Sequence, residues 1–79
     1  MVSQEEKAIN RIKSLESWIK FNQDKTVNWF VSKMQYEHGV SEKTTLKYLS
    51  HLSFLGKIKC VSDENVNVFQ SKYVAVEGS

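Results

Sequence analysis

The chain has 79 residues, 41% hydrophobic and 25% charged, with a net charge of +2 and a single cysteine. That length supports one hydrophobic core and excludes a second domain, and the mixture is globular rather than disordered. No run of about 18 apolar residues spans a bilayer, the polar, acidic start is not that of a signal or transit peptide, and Cys60 alone forms no internal disulfide, so a cytoplasmic home is expected.

Ser3-Gln4-Glu5-Glu6 has the pattern of a capping box, and behind it Ala8, Ile9, Ile12, Leu15 and Ile19 recur at three- and four-residue steps. One apolar stripe at that period predicts a helix over about 4–22. The polar cluster Asn22-Gln23-Asp24-Lys25 predicts a turn. Thr26 is expected to cap a second helix over about 27–38, with Val27, Phe30, Val31 and Met34 as its stripe and Gly39 as its left-handed end. Ser41 is expected to cap a third helix over about 42–55. Its period is carried by Leu46, Leu49, Leu52 and Leu55, and Gly56 closes it.

After Gly56 the period drops from 3.6 to 2. Ile58, Cys60 and Ser62 alternate with Lys57, Lys59 and Val61; past Asp63-Glu64-Asn65 come Val66, Val68, Phe69 and the run Tyr73-Val74-Ala75-Val76. This predicts a β-hairpin over about 57–76, followed by the short polar tail Glu77-Gly78-Ser79. The expected fold class is α+β: three helices and a C-terminal hairpin in a single domain over 1–79.

Helices two and three are separated only by Gly39-Val40-Ser41, and a short glycine-containing turn between helices is a helix-turn-helix signature. The segment from Val40-Ser41 through Thr44-Thr45-Leu46, Leu49 and Leu52 to Leu55-Gly56-Lys57-Ile58 resembles the winged helix-turn-helix family. In that family a Val-Ser turn precedes a Thr, a Leu-x-x-Leu core and a closing Leu-Gly-x-Ile that leads into the wing. Similar domains are found among small bacterial, archaeal and archaeal-virus regulators. The resemblance implies sequence-directed binding of double-stranded DNA, with the third helix in the major groove and the hairpin as a wing near the flanking backbone.

The charge distribution fits an anionic partner and equally a solvated lysine face. Residues 25–59 hold six lysines against Glu37 and Glu42, whereas the segments on either side are neutral or acidic. A helical wheel centred on Leu49 puts Thr45, Leu46, Leu49, Leu52 and Ser53 within about 60° of the centre, the expected buried arc. Lys43, Thr44, Lys47, His51 and Phe54 fall on the opposite side, with Ser50 at its edge. Lys43, Thr44 and Lys47, near the start of the helix, are the first candidates to read bases. Ser41 with the first helical amides is a candidate to hold a phosphate. Ser50 and His51 complete the face, and Lys57, Lys59 and Lys72 are the candidate wing contacts. The wing tip itself, Asp63-Glu64-Asn65, is acidic and is not expected to approach phosphate.

Trp18, Phe21, Trp29, Tyr36 and Phe54 all lie off the main stripes of their helices. They serve either as packing between neighbouring helices or as an interface. Trp18 and Phe21 are the candidates for a homodimer, which would double the phosphate contacts and match a palindromic site. A partner-binding winged-helix module in a transcription or replication assembly is the alternative, favoured by the acidic tip and the surplus aromatics. His38 is expected to serve the C-terminus of helix two. His38, His51 and Cys60 share no metal-ligand spacing, and the chain lacks a P-loop, a dinucleotide fingerprint and a nucleophile motif. Neither catalysis, nor a cofactor, nor a small-molecule substrate is expected.

Overall fold

The computed structural model of the protein describes residues 4–62 and 65–76. Ser3 of the capping box, Asp63 and Glu64 of the acidic tip, and the tail from Glu77 lie outside the described residues. Three helices, α1 (Gln4–Phe21), α2 (Val27–His38) and α3 (Glu42–Phe54), precede two antiparallel strands, β1 (Ile58–Cys60) and β2 (Tyr73–Ala75). The fold is α+β.

α1 ends one residue earlier than its apolar pattern. Asn22 leaves the helix and turns its side-chain amide back onto the Trp18 carbonyl (3.0 Å), while Gln23 does the same to Lys20 (3.1 Å). Two of the carbonyls that a helix end leaves without partners are thereby satisfied. Only Leu15 and Ile19 of the stripe are fully buried; Ile12 packs partly on the core and Ile9 is 49% exposed. The first turns of α1 therefore carry apolar residues that the core does not cover.

All four stripe residues of α2 are buried, as the period requires. Gly39 (φ 65°) stops the helix in the left-handed region and donates its amide to Gln35 O at 2.9 Å. At the other end Thr26 is extended but makes no side-chain cap bond. Instead, the Trp29 amide donates to the Thr26 carbonyl (3.0 Å), Thr26 bridges Lys72, and the Val27 amide donates to Ser71 O (2.8 Å), so a contact distant in sequence satisfies one of the amides that a helix start leaves without partners.

Ser41 does cap α3: its hydroxyl oxygen accepts from the Thr44 amide (3.3 Å) and its hydroxyl donates to Thr44 Oγ1 (3.0 Å). Thr45 is fully buried, with its hydroxyl donating to Ser41 O at 3.1 Å, so no polar group is stranded. Gly56 (φ 75°) closes the helix: its amide donates to Ser53 O (3.0 Å) and that of Lys57 to Leu52 O (2.9 Å), the paired bonds of a Schellman end.

The buried arc of α3 is rotated from the expected one. Tyr48 is buried and Ser53 is exposed, while Leu46 is only half-buried and Leu55 is 52% exposed. Leucines spaced by threes drift around a helix of 3.6 residues per turn, so the row spreads over both flanks. The arc that meets α1, α2 and β1 is Thr45, Tyr48, Leu49 and Leu52, shifted by roughly 50° from a centre on Leu49.

The hairpin also departs from expectation. Ile58 pairs with Ala75, Lys59 with Val74 and Cys60 with Tyr73, so the second strand is confined to Tyr73–Ala75. The stretch beginning at Val66 is not strand. Asn67 Oδ1 accepts from the Phe69 amide (2.9 Å), a side-chain bond that competes with ladder pairing, and Val68–Gln70 forms a 3₁₀ turn. Phe69 is thereby packed against the core. Ile58 is buried but Cys60 is exposed, because the strand leaves the core after one inward residue.

Candidate nucleic-acid interface

The rigid ends of α3, a serine cap and a glycine stop, present one face of the helix to solvent. Lys43, Lys47, Ser50 and His51 are exposed on it, Ser41 is exposed at its start, and Thr44 is half-buried at its flank. Rotation of the buried arc brings Lys43 and Ser50 closer to the centre of the outward face, leaves Lys47 near it, and moves Thr44 and His51 away from it. With its oxygen already engaged by Ser41, the Thr44 hydroxyl keeps its own proton to donate.

Strand register assembles a second group. Paired residues of an antiparallel ladder point to the same side, and alternate residues along a strand share a face. Lys59 faces the side of Val74, and so does Lys72 two residues earlier; Lys57 shares that face from the other strand, its carbonyl accepting from the Val76 amide at 2.9 Å. Lys57, Lys59 and Lys72 therefore occupy one side of the hairpin, with Lys59 and Lys72 exposed and Lys57 half-buried. Tyr73 and Cys60 lie on the other side. Burial, and secondarily the neighbouring Cys60, raise the Tyr73 phenol above its ordinary 10.0.

Three lysines on the α1–α2 side, Lys20, Lys25 and Lys33, are already engaged. Lys33 Nζ stands over the rings of Trp18 (4.9 Å) and Trp29 (5.6 Å) and lies 3.8 Å from Glu37. Lys25 sits over Trp29 and beside Asp24, and Lys20 over Phe21. By contrast Lys43, Lys47, Lys57, Lys59 and Lys72 have no ion pair or ring contact among the described residues. The basic middle of the chain thus divides into lysines that brace the α1–α2 side and lysines with no such contact among the described residues.

The off-stripe aromatics divide as well. Trp18 packs on the core and stacks on His38 (centroids 5.7 Å, planes 26° apart), and Trp29 meets Phe30 edge-on. His38 is thus held by a ring. Of the two residues expected at a dimer interface, Trp18 is engaged inside the chain and Phe21 is 76% exposed. Tyr36 and Phe54 are exposed at 87% and 89%. Among the described residues no group of three or more His, Cys, Asp or Glu side chains is placed to hold a metal ion, and no helix is long and apolar enough to cross a membrane.

The alternation around Ile58 already puts Lys57 and Lys59 on one face, whereas the side taken by Lys72 depends on the strand register. Phe54 was visible on the wheel but grouped with the aromatics; its place in the same row as Lys43 and Lys47 was the available signal. No family model, curated protein or solved structure matches the chain.

Proposed function

We propose that the chain is a winged-helix domain that binds double-stranded DNA as a cytoplasmic transcription regulator, with α3 in the major groove. The observation that carries this reading is the outward face of α3, where Lys43, Lys47, Ser50 and His51 stand exposed opposite the buried arc, the two lysines without ion pairs among the described residues. Cationic donors on a rigid helix suit a polyanion whose groove edges are rich in acceptors. The order of three helices followed by an antiparallel hairpin is consistent with a winged-helix layout. Lys57, Lys59 and Lys72 on one side of that hairpin supply further contacts to the phosphate backbone.

The regulator acts as a homodimer in this proposal, since a second copy doubles a small phosphate footprint and reads a two-fold site. Phe21 is the remaining candidate contact. The second reading, a partner-binding module, is favoured by the exposure of Tyr36 and Phe21 on the opposite helices. An electrophoretic shift on mixed-sequence duplex at low salt separates the two. A retarded complex that weakens as salt rises is expected; no retardation at tens of micromolar protein refutes the DNA reading and leaves the partner-binding module.

A further inference from the structure

Phe54, the last residue of α3, is the most exposed large hydrophobic side chain among the described residues, at 89%. It lies within about 20° of both Lys43 and Lys47 around the helix, so all three form one row. The Schellman end at Gly56 turns the chain away immediately beyond it. The phenyl ring makes no ring contact within the chain among the described residues. Leu55, the nearest exposed apolar neighbour in sequence, points about 100° away.

An exposed phenyl in an apolar patch suits a protein partner. This one shares its row with Lys47 and is flanked by Ser50 and His51, which suit an anionic, hydrogen-bonding surface. The major groove offers donors and acceptors on its base edges and one apolar group, the 5-methyl of thymine. Phe54 follows Lys47 by two helical turns, about 10 Å, or roughly three base-pair steps of 3.4 Å. We infer that Phe54 reads sequence by packing on a thymine methyl about three base pairs from the bases nearest Lys47. The inference rests on the DNA-binding reading of α3 and adds a specificity residue to it.

The test replaces thymine with uracil, which pairs identically and lacks only the methyl. A duplex pool enriched by repeated binding to the wild-type protein from random sequence is amplified with either dTTP or dUTP, and both forms are titrated with wild type and Phe54→Ala. Wild type is expected to prefer the thymine form, by about fourfold for each methyl buried. Phe54→Ala is expected to bind both forms alike while keeping the wild-type melting temperature and salt slope. Equal binding of the two forms by wild type, with salt dependence intact, overturns the inference and leaves DNA binding standing. A preference that survives in Phe54→Ala also overturns it, because another residue then reads the methyl. Failure of any pool to enrich removes the DNA reading itself, and the inference with it.

Discussion

Replacing Lys43 and Lys47 together with alanine separates the outward face of α3 from its role in folding. Both side chains are exposed and neither forms an ion pair among the described residues. Alanine is also the stronger helix former, so the stability of the double variant should stay within about 0.5 kcal/mol of wild type. If each lysine neutralises one phosphate, each contributes roughly 0.9 to the slope of log affinity against log salt, and the double variant loses about 1.8. Between about 50 and 200 mM salt that difference makes the wild-type affinity fall roughly 12-fold more than the variant's. If the lysines read bases instead, affinity for a preferred duplex drops by about 1–3 kcal/mol per contact, with little change on mixed sequence. Fluorescence anisotropy titrations at several salt concentrations, beside thermal melts, distinguish these outcomes. Equal affinities with parallel salt slopes would refute the assignment of α3 to the DNA interface. A fall of more than about 5 °C in melting temperature would show instead that the lysines hold the fold together.

Leu49→Ala removes a side chain that is 2% exposed at the centre of the core, and should lower stability by about 2–5 kcal/mol, or the melting temperature by about 10 °C or more; an unchanged melt would contradict its placement. Gly56→Ala meets no atom within 4 Å, so its expected penalty of about 1 kcal/mol is purely the left-handed backbone at φ 75°, and chemical denaturation that finds no loss would show that the helix end can rearrange. The Tyr73 phenol is raised above 10.0 in the folded protein, so the native state keeps that proton more tightly than the unfolded chain. Its contribution to stability is fully present below pH of about 10 and declines as pH rises through the folded value. Comparing urea midpoints of wild type and Tyr73→Phe from neutral to alkaline pH should show the phenylalanine variant losing less above that point; identical pH profiles would remove Tyr73 as a source of the alkaline loss.

The helices and their turn were legible in the sequence because their determinants are local. A 3.6-residue apolar period, a serine whose side chain reaches an amide three residues on, and glycines at φ 65° and 75° act within one or two turns of chain. Val27, Phe30, Val31 and Met34 are buried as the period alone requires. The lysines of the outward face were legible for the same reason, since a residue opposite a leucine arc has solvent as its surroundings. Tyr48 and Ser53 show where this reasoning stops. Their positions relative to the core depend on where α1, α2 and β1 press against α3, and a wheel centred on Leu49 puts Ser53 on the buried arc and Tyr48 off it, the reverse of the observed burial.

Contacts between distant residues decided the rest. The second strand was overextended because apolar residues from Val66 onward read as strand, whereas Asn67 captures the Phe69 amide and the ring turns inward. Thr26 was expected to cap α2 with its hydroxyl, but the Ser71 carbonyl, far along the chain, accepts the Val27 amide. Trp18 and Phe21 looked equivalent in sequence; packing gave Trp18 a stack with His38 and a lysine above its ring, and left Phe21 exposed. Lys57, Lys59 and Lys72 share a side of the hairpin only through the Lys59–Val74 register, and a shift of one residue would send Lys72 to the opposite face from the other two. Sequence determined which segments coil and which side chains cap them, because those energies are settled between near neighbours. Only the tertiary structure decided the phase of α3, the company of each aromatic ring and the grouping of the wing lysines, because those depend on which surfaces meet when the chain closes on itself.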